Sequence, residues 1–283
     1  MTPPVPLPDS RSFAHEAMHT TFGLHLIGED GEFLTGVARE CFDLLDRLEA
    51  SLSRFVDGSD VFRINRMLAG ETLYLSEPCH QCLLLAMQAG ALTGGLFDIT
   101  LGTRIAHRKA GASGPLPPLA GRLVIHPDVP AITCQAPGRE IDLGGIGKGF
   151  ALDQMADLLL DWGVRGGLLA AGASSLLAVG PQAWPVQLAG ERETRQLVLT
   201  NASLAASGTA VQGSHIVHPG ADATHQTYLS NRVWAVAPTA TLAEAWSTAL
   251  MLMTPQHVAA TIAGHDTLHH AFAEFDGRVA VLK

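Results

Sequence analysis

A single lysine stands inside a cluster of glycines at residues 141–153, Ile-Asp-Leu-Gly-Gly-Ile-Gly-Lys-Gly-Phe-Ala-Leu-Asp. Gly144, Gly145, Gly147 and Gly149 lie close together, with Lys148 between the last two. Glycine lets a backbone turn sharply and lets a ligand approach the main chain. Phe150, Leu152, Met155, Leu158 and Leu159 follow at helical spacing, so the glycines lead into a helix. A helix N-terminus offers unpaired N–H groups and partial positive charge, and Lys148 adds a full charge; together they suit a phosphate. Two familiar phosphate motifs do not fit. A P-loop needs Gly five residues before its Gly-Lys pair and Ser or Thr after it, where this chain has Asp142 and Gly149. Gly145, Gly147 and Gly149 fall one residue short of the dinucleotide fingerprint. The spacing therefore reads as an anion-binding loop entering a helix. The alternative is a tight strand-to-helix turn with a solvated lysine.

Composition narrows what such a loop could serve. The 283 residues are 47% apolar and 16% charged, which supports a sizeable core and argues against wholesale disorder. A formal charge of −9, with no run of Lys or Arg, argues against nucleic-acid binding. No apolar stretch is long enough for a transmembrane helix. Residues 1–10 have no positive n-region, apolar h-region or lipobox cysteine, so no signal peptide is expected. The expected location of the chain as given is cytoplasmic, or periplasmic if an export signal has been removed. Four cysteines are few for this length and read as thiols. Cys79 and Cys82 have C-x-x-C spacing without a second pair, which reads as a plain helix start after Pro78. His218, His225, His257, His265, His269 and His270 form no metal-site spacing.

The elements that must position the loop follow from periodicity. A loose arm is expected over 1–15, then a single domain over 16–283. Strand patterns fall at 20–27, 73–75, 122–126, 131–134, 166–171, 174–179, 184–188, 196–200, 233–236, 269–274 and 278–282. Helical patterns cover 36–53, a short piece from a Ser59 cap to Asn65, 77–93, 148–162, 241–253 and 255–263. Residues 108–120 read as a surface loop and 201–230 as turn-rich. Strands and helices alternate without a repeat, which predicts an α+β or mixed α/β fold with sheets flanked by helices.

Several of these segments resemble the motifs of the ApbE family of flavin transferases. The glycine stretch is similar to that family's Asp-Leu-Gly-Gly-Ile-Ala-Lys-Gly, with Gly147 in place of Ala. Met18-His19-Thr20 resembles Met-Gly-Thr. Ser53-Arg54-Phe55, Ser59 and Asn65 resemble a Ser-Arg-Phe…Ser…Asn run, and 94–100 resembles Gly-Gly-Ala-Phe-Asp-Pro-Thr. Ser207-Gly208 and His215-Ile216 match a Ser-Gly and a His-Ile pair. Residues 243–249 resemble Ala-Asp-Ala-Leu-Ala-Thr-Ala. The likeness spans most of the chain, in the correct order. Three departures bear on function. Gly172-Ala173-Ser174 replaces Gly-Gly-Asp, His218 replaces an Asp in a segment that also loses its Thr-Gly pair, and Glu244 replaces an Asp.

The resemblance implies transfer of FMN from FAD to a Ser or Thr hydroxyl of an acceptor protein, with release of AMP and dependence on Mg²⁺. By the same resemblance, Lys148 and His215 would be catalytic. Met18, Phe97, Asp98, Gly144, Gly145, Lys148, Ser207 and His215 would contact the flavin nucleotide, Asp98 in a structural or supporting role. The metal ligands would be the Gly145 carbonyl, Glu244 and Thr248; the last two stand four apart, on one helical face. Asp142 would order the loop rather than bind metal. An FAD pyrophosphatase and a flavin-binding protein that has lost activity are the alternatives that the departures leave open.

Overall fold

A computed structural model describes residues 10–112, 114–209, 216–220, 228–262 and 264–283. Ser10–Ala17 (β1) and Thr20–Ile27 (β2) form a hairpin in which Ala17 faces Thr20. Residues 10–15 therefore belong to a strand and not to a loose arm. Phe13 is the only large apolar residue of β1, so periodicity could not announce it; the main-chain ladder to β2 holds it. Gly31–Leu52 (α1) starts five residues before its apolar pattern suggests, because Asp30 accepts the Glu32 and Phe33 amides. Asp60–Ile64 (α2) is capped by Ser59, as expected. Thr72–Tyr74 (β3), Glu77–Leu92 (α3), Gly102–Lys109 (α4), Arg122–Ile125 (β4) and Ala131–Ala136 (β5) follow. Strands β3, β5 and β4 make a small antiparallel sheet.

The second half supplies Gly147–Asp161 (α5), Gly167–Ala171 (β6), Ser175–Val179 (β7), Trp184–Ala189 (β8), Thr194–Leu199 (β9) and Ser203–Gly208 (β10). Arg232–Ala237 (β11), Ala240–Leu252 (α6), Pro255–Ile262 (α7), His270–Phe275 (β12) and Arg278–Val281 (β13) complete it. The main sheet runs β1-β2-β6-β7-β10-β11-β12-β13, with antiparallel pairing between neighbours, and β8–β9 form a separate ribbon. Strand β10 lies within the span read as turn-rich and was not expected there. Its Ser-Leu-Ala-Ala-Ser-Gly sequence has too little contrast between its faces to announce a strand, yet it lies between β7 and β11. Likewise α4 was not evident in a segment with little apolar patterning.

The central strands are apolar without alternation because both of their faces are covered. Leu169 and Leu177 point into the core shared with α1, α3 and α5, while Leu168 and Leu176 point to Trp184, Trp234 and the β8–β9 ribbon. Helix α6 is apolar nearly all round, which suits its place between α5, α3 and strands β10 and β11. No described helix is long and apolar enough to cross a membrane.

Candidate functional site

The glycine turn is held from behind by charge. Arg54 follows α1 and reaches Glu140 at 2.5 Å and Asp142 at 3.1 Å. Asp142 uses its other oxygen to accept the Gly144 amide at 2.9 Å. Asn65, at the end of α2, brackets Ile141 by accepting its N–H (2.6 Å) and donating to its carbonyl (2.9 Å). The 53–65 segment is therefore the clamp that sets the turn, and Asp142 orders the loop as expected.

Helix α5 then leaves the turn and seats against the start of α6. A Cβ on Gly149 would lie 2.4 Å from the Ala240 carbonyl oxygen, so only glycine allows this approach. One turn later Asp153 accepts the Ala240 amide (2.7 Å), the Thr241 amide (2.9 Å) and the Thr241 hydroxyl (2.6 Å). This carboxylate caps α6 from another helix. Burial raises its pKa, and the bonds from Thr241 and Ala240 oppose the rise. Sequence reading missed this role, because nothing local pairs Asp153 with residues so far along the chain.

The α5–α6 seat brings Lys148 to Glu244, with Nζ 3.0 Å from Oε1. Ser175, at the start of β7, donates to the same oxygen at 2.5 Å. Glu244 is 4% exposed, and its Oε2 is buried without a hydrogen-bond partner among the described residues. Such an orphan acceptor is costly unless something else meets it. The ammonium of Lys148 has three donors and spends one on Glu244. Among the described residues no side chain caps α5, and the Gly147 amide donates to the Leu143 carbonyl at 2.7 Å.

Of the other expected residues, Gly145, Phe97 and Thr248 come together. Gly145 sits beside Phe97 and Thr248: a Cβ there would lie 3.3 Å from the Phe97 ring and 3.3 Å from the Thr248 hydroxyl. Phe97 is 4% exposed and wedges against the turn. Asp98 is committed to the Thr100 amide and hydroxyl, both at 2.7 Å, and to Arg139 at 3.3 Å, which is a supporting arrangement. The Ser207 hydroxyl meets Ser247 of α6 at 2.8 Å. Met18 and His19 form the β1–β2 turn with φ of 50° and 59°, backbone space that side chains other than Gly and Asn seldom occupy. The His19 ring meets Phe55 edge-on at 6.1 Å. His215 lies outside the described residues.

The departures also find places. Gly147 could carry a methyl group, since its Cβ would lie 3.7 Å from the Leu143 side chain, an ordinary contact. His218 Nδ1 accepts the Gly220 amide at 2.9 Å, a turn bond that an Asp could also make. Ser174 brings a hydroxyl where the resembled motif has a carboxylate. The Cys79 and Cys82 thiols are buried, and burial together with the Glu244 charge pushes Cys82 up to about 12, which makes it inert. Among the described residues, no three or more His, Cys, Asp or Glu side chains gather as a metal cluster.

Residues 18–272, nearly the whole chain, match the model of the ApbE family. The chain belongs to the ApbE family. It is 25% identical over 300 residues to a FAD:protein FMN transferase of Klebsiella pneumoniae, an alignment covering 90% of this chain and 82% of that protein. It is 22% identical over 288 residues to a FAD:protein FMN transferase of Salmonella typhimurium, covering 88% and 80%. Its fold is similar to that of the Pseudomonas stutzeri flavinyl transferase ApbE in its apo form, with a TM-score of 0.83 at 22% identity over 96% of this chain and 94% of that one. The flavin transferase ApbE from Vibrio cholerae superposes with a TM-score of 0.79 at 18% identity, over 96% and 97%. The expected α+β architecture is thus the ApbE architecture.

Proposed function

We propose that this ApbE protein transfers FMN from FAD to a Ser or Thr hydroxyl of an acceptor protein and releases AMP. The observation that carries the reading is the unsaturated pair Lys148–Glu244 at the mouth of an uncapped, glycine-led helix. A surface turn with a solvated lysine would bury no carboxylate beside it. Here, among the described residues, a buried carboxylate keeps one oxygen unmatched and its lysine spends one of three donors.

The donor set also fits a hard cation. Glu244, the Thr248 hydroxyl and the Gly145 carbonyl are all oxygen donors, as Mg²⁺ prefers, and the orphan Oε2 gives the ion something to meet. When bound, Mg²⁺ would neutralise charge on the FAD diphosphate. The rest of the chemistry belongs to the chain. Lys148 donates to the phosphoryl oxygens as charge moves onto the AMP leaving group. The start of α5 favours the same phosphates through its helix dipole. Arg54, Asn65 and Asp142 hold the glycine turn so that these donors are fixed before substrate arrives. Ser207 lies on the strand preceding the His215 segment and stands with Met18 as a contact for the flavin half.

Incubation with FAD, Mg²⁺ and a Ser- or Thr-bearing acceptor tests this, with intact masses and nucleotides measured together. Transfer gives AMP and an acceptor heavier by one FMN less one water. AMP with unchanged protein masses means water is the acceptor and the chain is a pyrophosphatase. FAD that binds but yields neither product means a flavin-binding protein.

A further inference from the structure

The β6–β7 turn carries a hydroxyl that the reaction above does not use. We propose that Ser174 is a self-modification site, at which the chain places FMN from FAD on its own hydroxyl as a phosphodiester. This rests on the flavin-transfer reading. The hydrogen-bond directions point to Ser174. The single hydroxyl hydrogen of Ser175 is donated to Glu244, so the hydrogen in the 3.4 Å contact between Ser174 and Ser175 comes from Ser174. That leaves the Ser174 lone pairs outside this contact. Ser175 is 1% exposed and out of reach of a substrate, whereas Ser174 is only partly buried. Three contacts of 3.0, 2.5 and 3.4 Å connect Lys148 through Glu244 and Ser175 to Ser174, which ties the hydroxyl to the phosphate-binding cation.

The turn is held in place. The Ser174 carbonyl accepts the Ala206 amide at 2.7 Å, and the Gly172 amide donates to Thr21 at 2.9 Å. Gly172 has φ of 56°, and a Cβ there would lie 2.5 Å from the Thr20 hydroxyl, so the turn fits only as glycine. An acceptor fixed in this way avoids most of the entropy cost of a bimolecular attack. Ser207 is the instructive contrast. Its relay through Ser247 ends on the main-chain carbonyl of Glu244 at 3.0 Å rather than on the carboxylate beside Lys148.

The chemistry balances with FAD as the only co-reactant. The Ser174 oxygen forms a bond to the FMN phosphorus, the bond from that phosphorus to the bridging oxygen breaks, and the hydroxyl hydrogen ends on the released AMP. The test is incubation of the chain alone with FAD and Mg²⁺, then denaturation, intact mass and peptide mapping, with a parallel reaction containing an acceptor peptide. The expected result is a gain of one FMN less one water, equimolar AMP, and a flavin peptide containing Ser174. Ser174→Ala abolishes the gain and Ser174→Thr, which keeps the hydroxyl, restores it. AMP release with an unmodified chain, a gain that survives in Ser174→Ala, or a modification mapped to Ser207 overturns the proposal. Absence of AMP both with and without the acceptor peptide defeats the flavin-transfer reading itself, and this inference with it.

Discussion

Two cation–carboxylate clusters flank the glycine turn, and they are finished differently. Behind it, Arg54 spans Glu140 and Asp142, and Asp142 spends its second oxygen on Gly144. In front of it, Lys148 and Ser175 share one oxygen of Glu244 and, among the described residues, leave the other unmatched. The first cluster is satisfied and reads as scaffold. The second keeps buried charge and donors in reserve among the described residues. A saturated network fixes geometry, and an unsaturated buried carboxylate beside a cation is a candidate place for chemistry.

Breaking the rear cluster should cost the most, and cost it in stability. Arg54→Met leaves Asp142 without its counter-ion in a largely buried place, and removal of one partner of such a pair costs about 3 kcal/mol. Denaturant unfolding should show that loss, and the loosened glycine turn should lower FAD affinity of the folded fraction by less than loss of Lys148 does.

Breaking the front cluster should do the reverse. Glu244→Gln removes the carboxylate charge and should lower AMP release from FAD by roughly 100-fold, about 2.7 kcal/mol of transition-state stabilisation. Glu244→Asp keeps the charge and should keep or improve Mg²⁺-dependent turnover, since a shorter arm changes only the reach. Both variants should stay folded, because among the described residues Oε2 makes no bond to lose, and an amide or a shorter carboxylate still offers an oxygen to Ser175 and Lys148. If both variants turned over like the parent, the contrast between the clusters would collapse. Lys148→Ala should weaken FAD by about 2 kcal/mol, the value of one charge-assisted phosphate contact, with FMN weakened less. Equilibrium titration with both nucleotides measures this.

The smallest effect sharpens the comparison at the α5–α6 seat. Because burial raises the Asp153 pKa, the folded state holds a proton in the window just above the ordinary carboxylate value, where the unfolded chain has lost it. The contribution of Asp153 to stability therefore falls as pH rises through that window. Asp153→Asn should lose about 1 kcal/mol at neutral pH through its weakened cap and should flatten that part of the stability profile. Thermal melts across the acidic range would show it.

Much of this was legible in the chain. Glycine spacing and the periodicity after Phe150 located the turn and α5, and Ser59 announced α2 through its cap. The order of the motifs pointed to the family. What the sequence hid depends on distant partners. Strand β10 is built of small residues and exists because β7 and β11 flank it. Asp153 and Ser175 act through residues about 87 and 69 positions away, and no local rule reports such a meeting. The helix start read after Pro78, by contrast, is α3.

The most direct test of the reserve in the front cluster is a calorimetric Mg²⁺ titration in the presence of FAD, comparing the parent chain with Arg54→Met, Glu244→Asp and Glu244→Gln. The prediction is one Mg²⁺ bound per chain in the parent, in the folded fraction of Arg54→Met and in Glu244→Asp, with binding lost in Glu244→Gln. Equal Mg²⁺ binding by Glu244→Gln and the parent would contradict the assignment of Glu244 and move the cation site elsewhere.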